Sequence, residues 1–109
     1  METKTIETPF QKAKVEIKTY LTAGDEQEIQ KVLYDAAIIK NGAVEKIEGS
    51  KGEVMNNMER KLMEKAVVSI NDNKDKIVER LLEMPSKDYD FVKDAVDKIR
   101  DEGGEAKKK

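Results

Sequence analysis

Oxygen-bearing side chains alternate at Asn71, Asn73 and Asp75, a spacing with which a loop can wrap a calcium ion. The sixth loop position would then be Lys76 and the twelfth Leu82, where an EF-hand loop needs a turn-forming Gly and a bidentate Glu. A turn that caps a helix accounts for the segment better, and calcium is rejected. The chain contains no His and no Cys, so it has no imidazole base, thiolate nucleophile, disulfide or usual structural zinc ligand. Its Asp and Glu side chains fall mostly on polar helix faces with Lys nearby, the pattern of solvated charge. These residues predict no catalytic group, no cofactor and no metal: the chain is not expected to be an enzyme.

Two further patterns could bind rather than react. Gly49-Ser50-Lys51-Gly52 has the Gly-x-x-Gly form that clamps a nucleic-acid backbone in KH modules, and Met55 follows where such a module has an apolar residue. The residues before it, 42–48, cannot supply the helix that must precede the loop, and Glu48 stands where an aliphatic is needed. Met55, Met58, Met63 and Met84 could line an adaptable groove, because thioethers repack readily. Met55 and Met58 share a helical face with Leu62 and read as core, which leaves Met63 as the surface candidate.

The 109 residues suffice for one domain with a modest core. Charged residues make up 40%, yet Lys and Arg (21) nearly balance Asp and Glu (23). Leu, Ile, Val and Phe number 25 of 109, about 23%, just above the floor of roughly 20% below which chains stay disordered. A folded, highly charged domain with a thin core is expected. No basic stripe precedes the tail, which argues against nucleic acid as a partner. No apolar run approaches the roughly 18 residues of a membrane span, and the first residues lack the build of a signal peptide. The expectation is a soluble intracellular protein without a membrane partner.

The elements follow from periodicity. Residues 1–13 are polar, contain Pro9 and read as a flexible arm. Over 14–21, Val15, Ile17, Thr19 and Leu21 alternate with polar positions, which predicts a half-buried strand. Thr22 and Asp25 form a capping-box variant, and Ile29, Val32, Leu33, Ala36 and Ala37 carry a helix to about residue 39. Asn41-Gly42 stops it, and 41–52 read as a loop with room for a short edge strand around Val44 and Ile47. A second helix over about 53–65 turns Met55, Met58, Leu62 and Ala66 inward. Residues 67–70 form a short strand that Asn71-Asp72-Asn73 ends. A third helix runs over about 74–83, and Ser86 caps a fourth that ends at Gly103-Gly104. The predicted fold is α+β and mostly helical, with about four helices and a small sheet containing strands near 14–21 and 67–70. A single globular domain over 14–102 precedes a disordered tail, 103–109.

Two stretches resemble the tail assembly chaperones of long-tailed, siphovirus-type bacteriophages and prophages. The first runs from Val15 through Leu21-Thr22-Ala23-Gly24-Asp25 to Ile29: an alternating strand, an aliphatic-Thr step and an acidic helix start. The second comprises Val67-Val68-Ser69-Ile70, Ile77, Leu81-Leu82, Met84-Pro85 and Asp88-Tyr89-Asp90-Phe91-Val92. Together they span 41 of the 109 residues, a little under two fifths of the chain. The resemblance implies a non-enzymatic factor in the host bacterial cytoplasm, absent from the mature virion. It would bind the tape measure protein and help recruit major tail tube subunits; self-association is left open. The alternatives are a structural tail or connector protein retained in the virion and, on the Gly-x-x-Gly loop alone, a small RNA-binding module.

The expected partner-binding residues are the apolar side chains left over once the stripes are buried: Tyr20, Tyr34 and Met63. In the resembled family a longer form often arises by ribosomal slippage near the end of the short reading frame. Lys107–Lys109 require A-rich codons and are the expected slip site.

Overall fold

The structure, a computed structural model, describes residues 2–40, 43–47 and 51–105. The fold is α+β and mostly helical, with four helices among the described residues. Where a single domain over 14–102 was expected, the chain groups into two compact units, one of Met1–Leu21 with Met63–Lys109 and one of Thr22–Leu62.

The first unit is built on a three-stranded antiparallel sheet. Strands β1 (Thr3–Glu7), β2 (Lys14–Lys18) and β5 (Val67–Ile70) lie in the order β1-β2-β5. The alternation in β2 sends Val15 and Ile17 fully into the core, while Lys14 stays exposed. The two strands expected from sequence thus exist, and they pair with each other: Val15 faces Ile70, Glu16 faces Ser69 and Ile17 faces Val67. The register slips between Glu16 and Ile17, leaving Val68 as the extra residue of a bulge.

The N-terminal residues correct the sequence reading. Residues 3–7 are not a loose arm but a strand, paired along its length from Thr3–Lys18 to Glu7–Lys14. Ile6 supplies its one aliphatic contact on the core side, opposite Val15. A single apolar residue in five gave no period to read, so tertiary pairing decides the conformation here.

Beyond β5, Asn71 and Asp72 both have positive φ (49° and 69°) and join Ile70 to Asn73 in a tight turn, with N–H···O distances of 2.8 and 2.9 Å. The Asn71 amide oxygen accepts the Lys14 N–H at 2.9 Å, so the residue that suggested a calcium ligand fastens the turn to β2. The next helix, α3 (Ile77–Leu82), starts three residues later than expected, because Lys76 is left-handed (φ 54°). Leu81 is its fully buried residue. The last helix, α4 (Ser86–Glu105), runs past Gly103-Gly104 to Glu105; residues 106–109, with the expected slip site, lie outside the described residues. The Pro85 carbonyl accepts its first N–H groups, from Asp88 and Tyr89 at 2.9 and 3.1 Å. Pro85 therefore holds the cap position and Ser86 the first helical one. Val92, Val96 and Ile99 form the buried stripe of α4, at the spacing of one helical face.

The second unit opens on α1 (Ala23–Ala36). Its capping box is reciprocal: Thr22 Oγ1 accepts the Asp25 N–H at 3.0 Å, and Asp25 Oδ2 accepts the Thr22 N–H at 3.1 Å. Ile29 is buried, and Val32 and Leu33 are half-buried. The helix ends at Ala36, not near 39. Residues Ala37–Lys40 form β3, paired antiparallel with β4 (Ala43–Ile47). The run 36–39 is apolar throughout and fits either period, and the β-branched pair Ile38-Ile39 favours the strand. The Asn41-Gly42 stop falls outside the described residues. Helix α2 (Lys51–Ala66) starts in the second unit and ends in the first.

Candidate functional site

Of the three expected partner-binding residues, two lie on the surface. Tyr20, just after β2, is 48% exposed, and Tyr34 on α1 is 65% exposed. They belong to different compact units. Met63 is 1% exposed and is a core residue. The buried face of α2 carries Val54, Leu62, Met63 and Ala66, with Met58 half-buried, and Met55 is exposed. The stripe is rotated by about one position from the expected one. Val54, at the same i, i+4, i+8 spacing as Met58 and Leu62, is the inward residue that the methionines concealed.

Tyr34 forms one wall of an open, mostly apolar recess of about 420 Å³ on α1, with Glu26, Gln27, Gln30 and Lys31. The Lys31 ammonium donates to Asp35 at 2.8 Å beside it, and that bond raises its pKa. Both side chains are exposed, so salt weakens the pair. A second cleft, of about 290 Å³ in the first unit, lies between Gln11, Ile70, Asn73, Arg80 and Met84. The Arg80 Nε–H in its wall donates to the Asp75 carbonyl at 3.0 Å.

The most heavily built polar feature is one that the sequence reading misses. Asp88 sits one turn before Val92 on the buried stripe of α4 and is fully buried itself. Its carboxylate accepts the N–H of Phe10 at 2.8 Å and of Gln11 at 2.9 Å, and a hydrogen bond from the Thr8 hydroxyl. Thr8, also buried, accepts the Ala13 N–H at 2.9 Å and donates its own N–H to the Ala13 carbonyl at 3.0 Å. Burial pushes the Asp88 pKa up. The donors on Gln11, Phe10 and Thr8, together with the Lys12 charge, outweigh burial and hold it below the usual carboxylate value. The sequence signal was present: an acidic residue at 88 continues the 92, 96, 99 spacing, where a solvated carboxylate has no place.

Glu16 is the second gripped carboxylate. Thr3 Oγ1 donates to it at 2.6 Å and Ser69 Oγ at 3.1 Å, and both bonds lower its pKa. Ser69 is buried at this contact, so its hydroxyl is spent on the sheet. Among the described residues, no three His, Cys, Asp or Glu side chains gather where they could hold a metal ion. The Gly-x-x-Gly segment is only half in view: Gly49 and Ser50 lie outside the described residues, and Lys51-Gly52 open α2.

No family model, curated protein or solved structure matches this chain. Tyr20 and Tyr34 are exposed, while the Asp88 and Glu16 carboxylates are engaged by hydrogen bonds within the chain. No helix among the described residues is long and apolar enough to cross a membrane.

Proposed function

We propose that the chain is a non-enzymatic tail assembly chaperone of a long-tailed bacteriophage or prophage. It acts in the host bacterial cytoplasm, binds the tape measure protein, keeps it soluble and helps recruit major tail tube subunits, and it is left out of the finished virion. One observation carries this reading. The two stretches that resemble the chaperone family, though some fifty residues apart, meet in one sheet, where Val15–Ile17 of the first pair with Val67–Ile70 of the second. The first stretch continues through the reciprocal Thr22–Asp25 cap, and the second continues through α3 into the turn of α4 that holds Asp88. The residues that carry the resemblance are thus those that pair, cap and clamp. Exposed Tyr20 and Tyr34 add apolar area for a transient client.

Co-expression with the tape measure protein encoded in the same genome tests the reading. The expected result is a soluble complex that purifies together, with this chain undetectable in purified particles. An insoluble tape measure protein in the presence of this chain overturns the proposal. The chain's presence in purified virions points to a structural tail or connector protein instead.

A further inference from the structure

The three-stranded sheet of the first unit has an open edge. In the order β1-β2-β5, β1 is an outer strand, and among the described residues no strand pairs with its far side. The other outer strand, β5, is blunted by the bulge at Val68 and by the turn that returns Asn73 to Ile70. Two flanking bonds fix which backbone groups of β1 face which way. The Thr19 N–H donates to the Glu2 carbonyl at 3.1 Å, and the Thr8 N–H donates to the Ala13 carbonyl at 3.0 Å. Bonded positions alternate along an antiparallel pair, so the even residues of β1 face β2. The N–H and C=O groups of Thr3, Thr5 and Glu7 therefore face the open edge, six groups in a row.

We infer that this edge pairs with the same edge of a second copy, antiparallel and about a two-fold axis at Thr5, joining two three-stranded sheets into one of six strands. Any extended chain can meet backbone groups; what singles out a second copy is that the side chains of β1 specify one register of the strand on itself. With the axis at Thr5, all six outward groups are bonded. Thr5 then faces Thr5 of the second copy, a favourable pair, and Thr3 faces Glu7 on either side of it. Lys18 is the β2 neighbour of Thr3, so a cation stands across Thr3 from the incoming carboxylate. On the core side Ile6 is only half-buried, and the aliphatic stem of Lys4 from the second copy covers it. Neighbouring registers fail. An axis at Lys4 or Glu7 opposes like charges, and one at Ile6 sets Thr3 against Pro9, which has no N–H. An axis at Thr3 carries Glu7 beyond the end of the partner strand. The paired strip is one strand wide and about 17 Å long, less than the roughly 800 Å² per partner of a stable complex. The dimer is therefore weak, held by main-chain bonds, and pairing about a two-fold axis consumes the edge and stops at two copies. The inference stands independently of the chaperone reading.

The chain has no cysteine, so single introduced thiols read the register. Directly opposite bonded residues stand about 5.5 Å apart at Cα, within the reach of a disulfide. Oxidation of the full chain carrying Thr5→Cys should give a linked dimer. Thr3→Cys and Glu7→Cys should each link poorly with themselves, because two-fold mates at those positions are about 13 Å apart, yet should link to one another when mixed. Sedimentation of the unsubstituted chain from about 10 µM to about 1 mM should show monomer passing into dimer. Thr5→Lys, at an exposed position, opposes like charges at the axis and should weaken the dimer several-fold with an unchanged melting curve. Equal self-linking by all three thiols, a chain that stays monomeric to about 1 mM, or a dimer that Thr5→Lys leaves as strong overturns the proposal. If the chain stays monomeric and Thr5→Lys instead releases a bound tape measure protein, the edge belongs to a client strand and not to a second copy.

Discussion

Thr8 shows how much one hydroxyl can carry in a thin core. It is buried, accepts from Ala13 and donates to Asp88. Thr8→Val keeps the shape and removes both bonds, leaving a buried N–H without an acceptor. The expected loss is about 1–3 kcal/mol, measurable as a lower denaturant midpoint at unchanged slope. Met63 and Tyr34 make a complementary pair. Met63→Glu puts an unpaired charge into the core and should cost several kcal/mol, on the order of a buried unsatisfied ion. Tyr34→Lys, on an exposed face, should stay within about 0.5 kcal/mol. Equal melting temperatures for the two variants would contradict the placement of Met63. Sequence alone ranked these residues together, because a helical stripe a little over 100° wide cannot be placed to one residue when methionines flank both of its edges. Asp88 looks in the sequence like ordinary first-turn polarity, since nothing local reveals that a loop some eighty residues earlier needs an acceptor.

At the scale of elements, what was legible had a local cause. β2 announced itself by strict alternation, β5 by three β-branched residues in four, and α1 by a cap whose two hydrogen bonds lie within four residues. Thr22→Ala removes one arm of that cap and should cost about 1 kcal/mol, read as earlier fraying of α1 in amide exchange. Protection of α1 equal to that of the unsubstituted chain would mean that the cap contributes nothing. Ile17→Asp is the harsher test of β2, because Ile17 faces Val67 and is fully buried. Loss of several kcal/mol is expected, and an unshifted thermal transition would remove that face from the core. The elements that sequence misplaced have non-local causes. β1 exists because β2 offers it an edge, and β3 and β4 exist because they pair with each other. An Asn-Gly dipeptide between two apolar runs was a usable hairpin signal for the latter, but the helical stripe ahead of it claimed those residues.

For the molecule as a whole, the absence of His combines with two gripped carboxylates to fix the shape of its pH profile. No side chain in the chain has an ordinary pKa between 5 and 8, so stability should be nearly flat across that range. The acid side differs. Glu16 lies below its ordinary 4.5, chiefly through the Thr3 and then the Ser69 hydroxyl, with Lys74 assisting against burial. Asp88 lies below its ordinary 3.8, its backbone and hydroxyl donors exceeding the opposing effect of burial. In both cases the unfolded chain binds the proton more readily than the folded one, so stability rises with pH through this window. Each contribution is complete above the ordinary value and is lost as pH falls through the folded one. Melting temperature should therefore hold from about pH 8 to pH 5 and decline below about 4.5. Asp88→Asn should lower it at neutral pH and converge on the unsubstituted chain once pH has fallen through the folded Asp88 value, where both carry an uncharged acceptor. Glu16→Gln should remove the Glu16 part of the acid decline and leave the Asp88 part intact. Thermal melts at intervals of half a pH unit, at fixed ionic strength, separate the two. An acid limb that neither substitution alters would mean that these clamps do not couple protonation to folding, and that the loop displaying Phe10 is held by packing alone.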